Sequence, residues 1–319
     1  MADDTAPIRP GRRSLRAMLA RAEAGVLLLG ITPPRRSVSP EQAAQIAEVT
    51  LARLATVDLD GLILYDIDDE SDRNPQERPF PYLPTMDPVA FHRDHLGAWE
   101  LPAVIYRCVG KYTEPELADW LGEVDTDRVL GVFVGASSRD KGVRTGLTQA
   151  YALRDRVRAD LPLGAVAITE RYTRTGDEHL RMLTKQDRGA SFFITQVVYD
   201  VDATKSLLSD YHYTCAAKGV EPRPVIFTLS VCGSLKTLSF LHWLGVNVPR
   251  WLENALRYSE DPLTESYQQC LATARELAAF CRRLGVPFGF NVESVSIRKV
   301  EIEASVELAR EVRELLTYQ

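Results

Sequence analysis

Eight short apolar runs, each followed by a stretch of helical periodicity, restrict what this chain can form more than any other feature. The runs are 26–31, 61–66, 102–108, 129–134, 163–168, 192–198, 223–228 and 288–292. Their Val, Ile, Leu, Phe and Ala residues show little polar alternation, which suits strands covered on both faces. Strands that alternate with helices pair in parallel, because each helix carries the chain back across the sheet. Eight such units is the number that closes a barrel, and 319 residues suffice for one. The pattern by itself leaves an open, doubly wound α/β sheet as the alternative.

Local signals support the units. Ser39 before Pro40–Ala55 is a helix N-cap, and Thr113-Glu114-Pro115-Glu116 is a capping box. Gly189 suits the end of the helix at 177–188, so that a tight turn feeds the sixth run. Asp66–Pro88 reads as a long polar loop, and such loops in compact domains usually serve function. Residues 1–12 read as disordered and 13–23 as a lead-in helix. The expected organisation is therefore an N-terminal extension over 1–24 and a single catalytic domain over 25–319.

Several function classes are excluded. A formal charge of −6 leaves no basic footprint for nucleic acid. No apolar run is long enough to span a membrane, and Arg9, Arg12, Arg13 and Arg16 are not followed by a signal-peptide core. The five cysteines lack CxxC spacing, which argues against zinc and for a reducing, cytoplasmic setting. His92, His95, His179, His212 and His242 are dispersed, so no metal site is expected. Gly131–Gly135 is no dinucleotide fingerprint, and Ser137 and Ser138 lack the context of a nucleophile elbow.

If the units close a barrel, its active site lies at the C-terminal ends of the strands. That places Thr32, Asp66, Asp68, Tyr106, Arg107, Gly135–Ser138, Thr169, Glu170, Gln196, Thr228, Asn291 and Glu293 around one mouth. Most strand-end polar residues are loop caps or solvated groups. Gln196 differs, because a buried amide inside an apolar run needs either a structural partner or a ligand. Thr169–Arg174 reads as a solvated loop, and Trp243 and Trp251 read as core.

The segment Gly189–Asp200, GASFFITQVVYD, with the preceding HLRMLTKQD, resembles methylenetetrahydrofolate reductases. Pro33-Pro34-Arg35 after the first run, Phe240, and Val248-Pro249-Arg250-Trp251 extend the resemblance, which covers roughly residues 25 to 317. It implies a (βα)8 TIM barrel of one-carbon metabolism, serving methionine biosynthesis. The implied reaction reduces 5,10-methylenetetrahydrofolate to 5-methyltetrahydrofolate with NADH or NADPH. By the same resemblance Gln196 faces the pterin, Phe240 stacks on substrate, and Thr228 lines the folate site. Tyr106, Ser137, Glu178 and Lys185 stand at the family's cofactor positions, Lys185 at a phosphate and Glu178 at a ribose.

Two departures shape the expectation. The family's acidic glutamate on the first strand is here Gly30, which has no proton to give. Glu293 follows the eighth strand, adjacent to the first in a closed barrel, and is the first candidate to replace it. Glu170, Asp66 and Asp68 are the others, and the bland reading of Glu293 is an exposed loop carboxylate. The family's flavin-gripping Arg-Gly-Asp is here Gly135-Ala136-Ser137. Loss of both charges predicts a chain without tightly bound FAD, similar to flavin-independent, mycobacterial-type members. The competing readings are a folate-binding paralogue without reductase activity and a folate-dependent one-carbon transferase. The oligomeric state is left open.

Overall fold

Successive side chains of a strand point in opposite directions, and in this chain both directions are apolar. A computed structural model describes residues 14–71, 74–136 and 142–317. Its strands are β1 (Val26–Ile31), β2 (Gly61–Leu64), β3 (Ala103–Cys108), β4 (Val129–Val134), β5 (Leu163–Ala167), β6 (Ala190–Val197), β7 (Val225–Ser230) and β8 (Phe288–Glu293). Each pairs in parallel with the next, and β8 returns to β1. The fold is a closed (βα)8 barrel, and the open sheet is ruled out. The stretch expected to be disordered, 1–12, lies outside the described residues.

The helices are α1 (Leu15–Ala20), α2 (Pro40–Leu54), α3 (Pro88–His95), α4 (Glu114–Glu123), α5 (Leu147–Val157), α6 (Thr169–Thr175), α7 (Glu178–Asp187), α8 (Val201–Lys218), α9 (Leu235–Trp243), α10 (Arg250–Tyr258), α11 (Pro262–Leu284) and α12 (Lys299–Thr317). One set of strand side chains, such as Leu27, Leu29, Phe227 and Phe290, packs outward in a core shared with the helices. The other set, including Val26, Leu28, Ile63, Val104, Val132, Phe192 and Ile226, fills the barrel. Leu15, Met18 and Leu19 of α1 belong to that inner core, so the lead-in helix adds to the barrel's packing. Burying an aliphatic side chain of this size contributes roughly 1.5–3 kcal/mol.

Three local differences from expectation have physical causes. β2 stops at Leu64 because Asp66 turns its carboxylate to accept from the Cys108 N–H at 2.8 Å. β7 begins at Val225, since Pro224 has no N–H for the ladder, although its carbonyl accepts from Phe193 N–H at 2.8 Å. Thr169–Arg174 is not a loop but most of helix α6, which ends at Gly176 with φ +70°. Trp243 is core as expected, whereas Trp251 is 60% exposed on α10.

Candidate active site at the barrel mouth

The inward-facing residues turn polar at the C-terminal end of β8. Asn291 is fully buried, and its Nδ2 donates to the Tyr65 hydroxyl at 3.0 Å, Thr228 Oγ1 at 3.3 Å and Glu293 Oε2 at 3.4 Å. Among the described residues its amide oxygen has no hydrogen-bond partner. The Tyr65 hydroxyl and the Glu293 carboxyl thus share the Asn291 amide, and the Tyr65 and Tyr106 rings meet edge to face at 4.9 Å. Glu293 keeps some accessible surface, but the surrounding protein excludes most water from its carboxyl. Burial pushes that carboxyl up to about 7, against the opposing pull of hydrogen bonds from Tyr65 and Asn291. Burial, reinforced by the Glu293 charge, holds the Tyr65 and Tyr106 phenols well above their ordinary range. This leaves a carboxyl that exchanges a proton near neutral pH between two neutral phenols.

Glu293 stands opposite Gly30 in the β1–β8 register. A Cβ on Gly30 would lie 2.8 Å from Cε2 and 3.1 Å from the hydroxyl of Tyr65, so the ring would have to shift to admit it. The space for a first-strand side chain is therefore filled by Tyr65. Its ring is held in that direction by the anchoring of its neighbour, Asp66. The Asp66 carboxylate accepts from Lys111 Nζ at 2.5 Å and Tyr112 O–H at 2.9 Å as well as from Cys108 N–H. Tyr112 also reaches Asp87, which pairs with Arg107 at 2.7 Å. Burial would raise the Asp87 carboxyl, but the Arg107 charge and hydrogen bond prevail and lower it.

Of the other sequence candidates, Thr228 accepts from Asn291 within this set, and the rest are dispersed. Gln196 lies in a β-bulge: Ile194 pairs with Ile226 and Val197 with Thr228, so two residues of β6 face one of β7. Bulges re-aim side chains, and here the Gln196 amide donates to the Leu244 carbonyl at 3.3 Å. Thr228 is buried, donating to the Thr195 carbonyl at 2.8 Å. Glu170 accepts at 3.2 Å from the N–H of Asn247, in the connection between α9 and α10. Glu178 and Lys185 come together, with Lys185 Nζ 3.4 Å from Glu178 and 2.6 Å from the Val166 carbonyl. Arg171 completes that ion cluster at 3.1 Å from Glu178, and burial lowers the Lys185 ammonium despite its partner. Ser137 lies outside the described residues.

Phe240 is only 6% exposed because the long loop after β2 lies across α9. The Arg78 guanidinium sits 5.0 Å from the Phe240 ring and 5.2 Å from Trp243, and Phe80 meets Phe240 edge to face at 5.3 Å. Trp243 Nε1 donates to the Gln76 carbonyl at 2.9 Å, which ties the loop down. Sequence reasoning missed Arg78 and Tyr65. Tyr65 was within reach, since 61, 63 and 65 share one face of the second strand and Ile63 points inward.

The class that these observations define is a closed (βα)8 barrel with a carboxyl, an amide and phenol groups converging at the C-terminal mouth, the end of the fold where barrel enzymes place their sites. More particularly, the chain belongs to the same family as an uncharacterized protein from Clostridium thermocellum. The two are 41% identical over 94% of this chain and 99% of that one, with a TM-score of 0.84. That protein binds two copies of 5-methyl-5,6,7,8-tetrahydrofolic acid. Much looser likenesses are to 7,8-dihydropteroate synthase from Vibrio fischeri ES114 (10% identity, 93% and 95% coverage, TM-score 0.46) and to a dihydropteroate synthase from Coxiella burnetii in complex with pteroic acid (10%, 92% and 93%, 0.47). No family model and no curated protein matches the chain. No described helix is long and apolar enough to cross a membrane, and no group of metal-ligating side chains occurs among the described residues.

Proposed function

We propose that this protein binds a reduced folate at the barrel mouth and reduces 5,10-methylenetetrahydrofolate to 5-methyltetrahydrofolate with NADH or NADPH. The observation that carries the reading is Glu293, an enclosed carboxyl of near-neutral pKa in register with Gly30. Folate as the ligand is supported by the 41% identical relative and by the resemblance around Gln196. The chemistry needs one proton and one hydride. Glu293 protonates the bridging nitrogen, the ring carbon–nitrogen bond breaks with its electron pair left on that nitrogen, and a cationic iminium remains. A hydride from the nicotinamide then reaches the methylene carbon and leaves a methyl group. NAD(P)H oxidation that depends on added methylenetetrahydrofolate tests the whole reading. Folate binding without such oxidation would instead favour the paralogue or transferase reading, which Gly30 and the relative's methylated ligand suggest.

Two further outcomes are expected. The protein purifies without stoichiometric FAD, because Gly135 and Ala136 stand where the resemblance expects a flavin-gripping Arg-Gly and offer no charge. A visible absorbance spectrum checks this, and flavin bands at one per chain would contradict it. Gln196→Ala weakens folate binding by about 1–3 kcal/mol, since a buried ligand edge loses its partner. Calorimetric titration alongside a thermal melt separates the roles. Unchanged affinity with a lower melting temperature would reduce Gln196 to its bond with Leu244.

A further inference from the structure

We propose that Tyr65 positions the Glu293 carboxyl, and that Gly30 is the clearance that admits the Tyr65 ring to the mouth. Two independent geometric observations support this. From β1, the ideal Cβ position on Gly30 falls 2.8 Å from the Tyr65 ring and 3.2 Å from Asn291 Oδ1, so glycine alone fits there without displacing them. From β8, Asn291 donates to the same Tyr65 hydroxyl at 3.0 Å and to Glu293 at 3.4 Å, so tyrosine, amide and carboxyl form one hydrogen-bonded set. Gly30 is thus not merely a lost side chain. The space beside Gly30 holds the ring whose hydroxyl shares the Asn291 amide with Glu293.

The ring has little freedom to leave. Tyr65 N–H donates to the Ile31 carbonyl at 3.0 Å, and the next residue, Asp66, is held by Cys108, Lys111 and Tyr112. On the far side the ring packs against Tyr106. The titratable groups facing the Glu293 carboxyl are therefore Tyr65 from the end of β2 and Tyr106 from β3. Its flanking strands present Gly30 and Ser230 in register, and from α12 the Ser305 hydroxyl donates to its backbone carbonyl at 3.3 Å. The carboxylate depends on the Tyr65 hydroxyl and the Asn291 amide for stabilisation. Removing the hydroxyl makes the proton harder to lose.

The role of the mouth rests on the folate reading, but the test uses the ligand-free protein. Glu293 is titrated by the infrared carboxyl band that Glu293→Gln abolishes. Tyr65→Phe should move its midpoint upward by about one pH unit, the size expected for losing one hydrogen bond to a charged group. In parallel, Gly30→Ala is introduced into the wild type and into Tyr65→Ala, and the four melting temperatures are compared. Gly30→Ala should lower the melting temperature of the wild type and have little effect once the ring is gone. An unchanged midpoint in Tyr65→Phe overturns the proposal, and so does an equal Gly30→Ala penalty in both backgrounds. Failure of the wild type to bind 5-methyltetrahydrofolate in calorimetry would sink the folate reading and leave this result standing.

Discussion

Replacing Glu293 by Gln is expected to lower methylenetetrahydrofolate-dependent turnover by about 10²–10⁴-fold, the usual contribution of a positioned general acid. Nicotinamide binding should be unaffected, because the amide keeps the shape and removes only the transferable proton. Wild-type turnover should fall as pH rises through about 7, where burial places this carboxyl, and the residual activity of the variant should lose that step. Stability provides a second check with a definite sign. The folded-state pKa is raised from 4.5 to about 7, so folding favours the protonated form. That contribution is complete below about pH 4.5, declines as pH rises toward 7, and is absent above it. The melting temperature of Glu293→Gln relative to wild type should therefore be higher at pH 8 than at pH 5. Glu170→Gln serves as the paired control: a loss of turnover there, with Glu293→Gln fully active, would assign the acid to the fifth strand's end.

Asp66→Ala should be the most destabilising single change near the mouth, at about 3–5 kcal/mol, the cost of breaking a buried ion pair by removing one partner. The Asp66 side chain is 1% exposed and accepts from a backbone N–H, an ammonium and a phenol. Alanine leaves all three donors short of an acceptor, and the Lys111 charge is then poorly compensated. Asp66→Asn, which keeps an acceptor oxygen but not the charge, should lose less. Denaturant unfolding of the three proteins measures this directly. A loss below about 1 kcal/mol in Asp66→Ala would mean that Asp87 or solvent takes over these donors. The same variant should impair turnover even where it remains folded, because Tyr65 directly precedes Asp66 just past the end of β2.

Much of the architecture could be read locally. Glycine, proline and capping residues marked where helices begin and end, and the continuous apolar runs required strands covered on both faces. The apolar runs were too short to predict a membrane-spanning helix, and no described helix is long and apolar enough to be one; the C-terminal-end rule gathered Tyr106, Thr228, Asn291 and Glu293 from their places in the pattern. Boundaries failed where a side chain with a distant partner intervened, as at Asp66, or where a short amphipathic segment carried no clear start signal, as in α6.

Spacing along the chain was enough to define the eight strand–helix units and the residues that stand at strand ends. Closure, register and side-chain direction belonged to the tertiary structure. Only pairing of β8 with β1 puts Glu293 opposite Gly30, and only the close packing of Tyr65 gives the glycine a steric reason. The bulge that turns Gln196 toward Leu244 is a mismatch between two strands, and neither strand contains it alone. Phe240 lies beneath Arg78 because a loop crosses more than 150 positions of sequence to reach it. A carboxyl's pKa follows the same rule: Glu293 differs from the chain's surface glutamates through the water its neighbours exclude, and those neighbours come from three strands.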